Sequence, residues 1–184
     1  LYQRRNLDLW AEYADGKVTK EELNRQRYLY PLEAVGAGDS TLAKAYERDA
    51  LTMIPTKSKL MPHAREVLEY LSRKYNLYIL SNGFKELQSH KMRSSGIDEY
   101  FKKVVLSDDI GILKPWPEIF HFALSTTQSE LNNSLMIGDS WENDIVGAAG
   151  VGMHQVFYNL SGRIDLPFAP TYQITDLKDL FNFL

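Results

Sequence analysis

No cysteine occurs in the 184-residue sequence. That absence excludes disulfides, zinc–thiolate centres and thiol nucleophiles together, and it suits a reducing cytoplasm. A long basic stretch is also missing. With 21 Lys and Arg against 24 Asp and Glu the formal charge is −3, so a nucleic acid polymer is not the expected partner. No apolar run approaches the roughly 20 residues that cross a bilayer, the opening residues show no signal-peptide pattern, and no membrane partner is expected. Internal repeats and low-complexity tracts are lacking too. The four histidines, His63, His90, His121 and His154, stand at no ligand spacing, which argues against a histidine metal centre. What remains is ordinary globular composition, 44% hydrophobic and 24% charged, suited to one domain with a small insertion.

The two parts of the chain differ in rhythm. Residues 1–57 read as helices only, and the pattern is already helical at Leu1, which is not a methionine. Leu9, Trp10 and Tyr13 lie at helical spacing before Asp15-Gly16. The run TKEE is a capping-box pattern with Thr19 as cap and Glu22 three residues on. Gly36 and Gly38 end that second helix, and Asp39 can cap a third. From Leu60 the rhythm becomes helix, strand, helix, strand. Pro62 suits a first helical turn, and Ala64, Val67, Leu68 and Leu71 form one apolar face. Short apolar runs at 77–81, 103–107, 134–138 and 154–158 alternate with amphipathic segments. This alternation predicts an α/β core with a parallel sheet buried on both faces.

Ligands of parallel sheets collect beyond the carboxyl ends of the strands. There the sequence sets Ser81-Asn82-Gly83 after the first run, Lys114 beyond the second, and Asp139, Ser140 and Asp144 after the third. Each has a plain structural reading. Ser, Asn and Gly form turns, a lysine is usually solvated, and an acid past a strand can cap the next helix. Glu118, after Pro117, suits a helix start and could also pair with Lys114. Capping accounts for one of the two acids comfortably and for both less well. A Ser hydroxyl with nearby N–H groups can hold a phosphoryl oxygen, an ammonium can clamp phosphate, and magnesium prefers one or two carboxylates with waters. Trp116 and Trp141 flank this region.

In order, LYILSNG, GILKPWPEIF and MIGDSWENDIVGAAGVG resemble the second, third and fourth motifs of the haloacid dehalogenase (HAD) superfamily, across nearly all of residues 60–160. The resemblance implies a Rossmann-like parallel core over residues 58–184 and a helical cap insertion over residues 1–57. Carried over, Ser81 with Asn82 would bind the transferred phosphoryl group and Lys114 would neutralise charge on nucleophile and intermediate. Asp139 would ligate Mg2+ directly, and Asp144 would hold it through water or orient the site. Metal-free dehalogenases of the superfamily do not keep both acids, so the resemblance implies a Mg2+-dependent phosphatase working through an aspartyl-phosphate. Its substrate would be a small phosphorylated metabolite, with nucleoside monophosphates suggested by likeness to bacterial nucleotidases. A monomer or homodimer is expected. A dehalogenase-like hydrolase and a non-catalytic binding protein that has lost its nucleophile are the alternatives.

The family's first motif, Asp-x-Asp-x-(Thr or Val) at the end of an apolar strand, has no match. Asp8 lies in a helical pattern, Asp39 reads as a cap, and Asp108 and Asp109 are adjacent. By this resemblance the core lacks its first strand, the nucleophile and general acid lie upstream of Leu1, and residues 1–184 alone are catalytically inert.

Overall fold

The computed structural model describes residues 2–184, apart from the side chain at position 86. Two compact units divide the chain, Leu1–Lys57 and Ser58–Leu184. The first consists of α1 (Tyr2–Ala14), α2 (Lys20–Ala34) and α3 (Ser40–Met53). Thr19 starts α2 by accepting the Glu22 N–H at 3.1 Å. The carboxylate of Glu22 turns forward to Arg25 (2.7 and 2.9 Å) instead of back to the cap, so half of the expected capping box forms. A bidentate charged partner outcompetes a neutral backbone N–H. Asp39 caps α3 through the N–H groups of Thr41 and Leu42. Leu9 and Leu23 are fully buried, and the Tyr28 ring stands 6.4 Å from those of Tyr2 and Tyr46.

The second unit is α/β, and every strand pairing in it is parallel. Strands β1 (Leu77–Ser81) and β2 (Phe101–Leu106) form one sheet; β3 (Leu135–Gly138), β4 (His154–Tyr158) and β5 (Tyr172–Ile174) form another. Helix α4 (Ala64–Leu71) precedes β1, and α5 (Lys85–Ser95), α6 (Pro117–Thr127) and α7 (Gly147–Gly150) lie between successive strands in the chain. Although the sheets are separate, Leu80 of β1 and Met136 of β3 pack on the same cluster of Ile119, Phe120, Ala148 and Met153. A second cluster joins Val67 and Leu71 of α4 to Val156, Ile174 and Leu180. None of the described helices is long and apolar enough to cross a membrane.

Several local expectations need correction. Pro62 stands in a turn and not in a helical one, because His63 adopts the left-handed conformation (φ 62°) and α4 starts only at Ala64. The second strand runs from Phe101 and stops at Leu106; Ser107 already belongs to a 3-10 turn through Asp109. That turn closes when Asp109 Oδ2 accepts the Leu106 N–H at 2.9 Å. Three residues of β5 were too few to register as a pattern.

Asp39→Ala should cost about 1 kcal/mol, as loss of an N-cap does. Phe120→Ala, which empties a fully buried site in the shared cluster, should cost about 3–5 kcal/mol. Urea denaturation followed by circular dichroism checks both, and comparable losses would contradict this account of the core.

Candidate active site

Lys114 sits in the loop between β2 and α6, and its backbone is gripped by a side chain. The Asn82 amide accepts the Lys114 N–H at 2.7 Å and donates to the Lys114 carbonyl at 3.0 Å. This two-point clamp ties the end of β1 to the loop. The ammonium turns inward, donating to the Leu80 carbonyl at 2.9 Å and to Asp144 Oδ1 at 2.6 Å. Lys114 is 9% and Asp144 4% exposed. Two of its three N–H donors are thus engaged, and the third is uncommitted among the described residues. The carboxylate paired with Lys114 is Asp144, not Glu118.

Asp144 reaches the ammonium because β3 ends in glycine. A Cβ at Gly138 would lie 2.3 Å from Asp144 Oδ2 and 2.4 Å from its Cβ and Cγ, so a side chain there would displace the carboxylate. Asp144 lies on the π-helical turn Trp141–Val146, where its Oδ2 accepts the Ser140 N–H at 3.0 Å and Ser140 Oγ accepts the Asn143 N–H at 3.2 Å. It therefore caps the turn and holds the lysine at once. Asp139, one residue past β3, is exposed.

Ser81 ends β1. Its Oγ accepts the Gly83 N–H at 3.0 Å and a hydrogen bond from the Gln88 side-chain amide. Both lone pairs are then filled, which leaves the O–H as a donor. Gln88 was not among the expected residues. Gly83 is its only sequence signal, since a Cβ there would meet Gln88 Nε2 at 2.6 Å. Also unexpected is Arg163, beyond β4. It is fixed by Asn159, whose amide bonds the Arg163 N–H and carbonyl at 2.9 and 2.8 Å. Its guanidinium lies 5.6 Å from the Trp141 ring centre and donates to Glu142 at 2.8 Å. That hydrogen bond holds the Glu142 carboxyl below the ordinary carboxylate range.

The donor set bears on the kind of metal. Asp139 offers a solvent-facing carboxylate, whereas both oxygens of Asp144 already accept hydrogen bonds. No group of three His, Cys, Asp or Glu that could hold a metal gathers among the described residues. Such a set is unsuited to a caged zinc site. It fits magnesium, which takes one or two carboxylates and completes its shell with waters and substrate oxygens.

Comparisons with known proteins bear on the chemistry. A family model described as haloacid dehalogenase-like hydrolase matches residues 2–152. Pyrimidine 5′-nucleotidase YjjG of Escherichia coli (strain K12) is 30% identical over 186 residues, covering 100% of this chain and 80% of its own. The crystal structure of the putative HAD-hydrolase YfnB from Bacillus subtilis bound to magnesium superposes with a TM-score of 0.90 at 28% identity, over 98% of this chain and 79% of that one. A crystal structure described as a dehalogenase superposes at 0.82 with 26% identity, over 100% and 81%.

Asp144→Ala should cost about 3–5 kcal/mol, because it strands a buried ammonium. The double variant Lys114→Met, Asp144→Leu should recover much of that loss, since it removes both charges. Strictly additive losses in a denaturation cycle would show that the two groups are not coupled.

Proposed function

We propose, on the premise that the chain belongs to the family of haloacid dehalogenase-like hydrolases, that this edge is a magnesium-dependent phosphatase site for small phosphomonoesters, nucleoside monophosphates among them. Phosphomonoester hydrolysis goes with the family and its nucleotidase relative; the metal, the substrate class and the residue roles are our reading. One observation carries it: a buried ammonium tethered by the Leu80 carbonyl, one residue before Ser81, and by Asp144, on the turn that follows Asp139.

In this reading the Ser81 O–H and the third Lys114 N–H hold oxygens of the transferred phosphoryl group. Asn82 acts through Lys114, as a positioning residue. Attack comes from an aspartate carboxylate on a strand between β1 and β3, each of which pairs on one side only among the described residues. The phosphorus–oxygen bond to the leaving group breaks as an aspartyl-phosphate forms, and water then releases phosphate. Magnesium, when bound, would supply Lewis-acid charge neutralisation at the phosphoryl oxygens; Asp139 would ligate it directly, and Asp144 would hold it through water or orient the site. The helical unit is the cap insertion. A dehalogenase would leave the Asp139 carboxylate without a task.

Phosphate release from uridine 5′-monophosphate by the whole protein tests the reading. Turnover should need Mg2+ and vanish with EDTA, and Asp139→Asn or Lys114→Met should lower it on the order of 100-fold or more. Full activity in EDTA, or halide release from a 2-haloacid in place of phosphate release, would overturn it.

A further inference from the structure

The three tryptophans occupy different surroundings. Trp141 is buried, with the rings of Phe157 and Phe168 centred 5.2 and 4.9 Å away. Trp10 belongs to the helical unit and lies edge-on to Tyr13 at 6.0 Å. Trp116 is 49% exposed, and no ring or charged group covers it among the described residues. A lone exposed apolar residue ordinarily needs no explanation. Trp116 differs in where it stands and how it is held.

It is two residues past Lys114, so two peptide links keep its Cα within about 8 Å of the lysine Cα. Its backbone is fixed on both sides. The Trp116 N–H donates to the Leu113 carbonyl at 3.0 Å, and its own carbonyl accepts the Ile119 N–H at 3.3 Å. Pro115 precedes it, and Pro117 follows as the first residue of α6. Lys114 is pinned by Asn82, and Pro115 Cα lies 3.0 Å from where a Cβ on Gly147 would stand. A large flat side chain, half in water on an ordered turn, can take up a ring with little further loss of backbone freedom.

We infer that Trp116 is a stacking platform for a planar ring on the leaving group, so that the site selects ring-bearing phosphomonoesters over open-chain or sugar phosphates. The inference deepens the phosphatase reading and rests on it. Lys114 and Ser81 contact only the phosphoryl end, which is common to every such ester. Discrimination has to come from elsewhere, and an aromatic face accepts any base because every base has a π-face.

The test compares kcat/KM for uridine 5′-monophosphate and ribose 5-phosphate in the whole protein and in Trp116→Ala and Trp116→Phe. Trp116→Ala should lower the value for the nucleotide about tenfold, mainly through KM, as loss of a base-stacking aromatic does. Ribose 5-phosphate should be unaffected, and Trp116→Phe should keep most of the nucleotide activity. Equal losses on both substrates, or none on either, would overturn the inference. Tryptophan fluorescence decides it independently of turnover. Uridine 5′-monophosphate should quench the wild-type protein and not Trp116→Phe, and ribose 5-phosphate should quench neither; equal quenching of both proteins would refute stacking on Trp116. No phosphate release from either ester, with quenching intact, would count against the phosphatase reading alone.

Discussion

The core unit turns on one buried ammonium. Lys114 lies on neither sheet, yet its Nζ bonds the last-but-one carbonyl of β1 on one side and the carboxylate beyond β3 on the other. Burying an ion pair costs several kcal/mol of lost hydration for each ion, and the attraction repays that only when geometry is good and the remaining hydrogen-bonding capacity is met. Much of the surrounding structure meets that condition. Asn82 fixes the lysine backbone, Ser140 gives its N–H to the second oxygen of Asp144, and Gly138 leaves room for the carboxylate. The pair is therefore weak evidence for stability and strong evidence of a position that must be kept.

The small residues after Asp144 follow from the same constraint. A Cβ on Gly147 would stand 2.6 Å from the Phe120 ring and 3.0 Å from Pro115 Cα. The segment GAAG can thus lie directly against the turn that carries Lys114, and Ala148 packs with Phe120 in the shared cluster. The π-helical turn ahead of it sets Asp144 inward while Trp141 fills the space beside Phe157. Such irregular turns are frequent at functional sites. The two acids past β3 therefore have different duties. Asp144 serves the interior, and Asp139 faces water.

Elements with a local cause were legible in the sequence. Thr19 and Asp39 announce helices because a cap satisfies the very next N–H groups, and the strands at 77–81 and 154–158 each carry a continuous run of aliphatic and aromatic residues, Leu77 to Leu80 and Val156 to Tyr158. Elements with a distant cause were not. Nothing near Asn82 indicates that its amide serves a backbone 32 residues away, nor does Gln88 on α5 show that its amide reaches back to the Ser81 hydroxyl. Long-range pairing likewise decides the division into two sheets, which the strand periodicity cannot express. Pro62 misled because proline favours the first helical turn on average, whereas His63 takes a left-handed conformation that interrupts the chain just there.

Charge gives the last step. At the described edge one ammonium stands with two carboxylates, and Asp144 already answers Lys114. In the phosphatase reading, a substrate would meet the surplus carboxylate of Asp139 and the remaining N–H of the lysine. A phosphoryl group carries about two negative charges near neutral pH, and repulsion between like charges in a partly buried site is far stronger than in water. Hydrogen bonds from Ser81 and Lys114 would orient such a group but would not offset a net negative edge. A hard divalent cation held by Asp139 would offset that charge, turning the exposed acid from an obstacle into an anchor. The same arrangement gives an uncharged or monoanionic substrate little reason to enter. In the phosphatase reading, the exposed acid would therefore select for substrates able to share a cation with it.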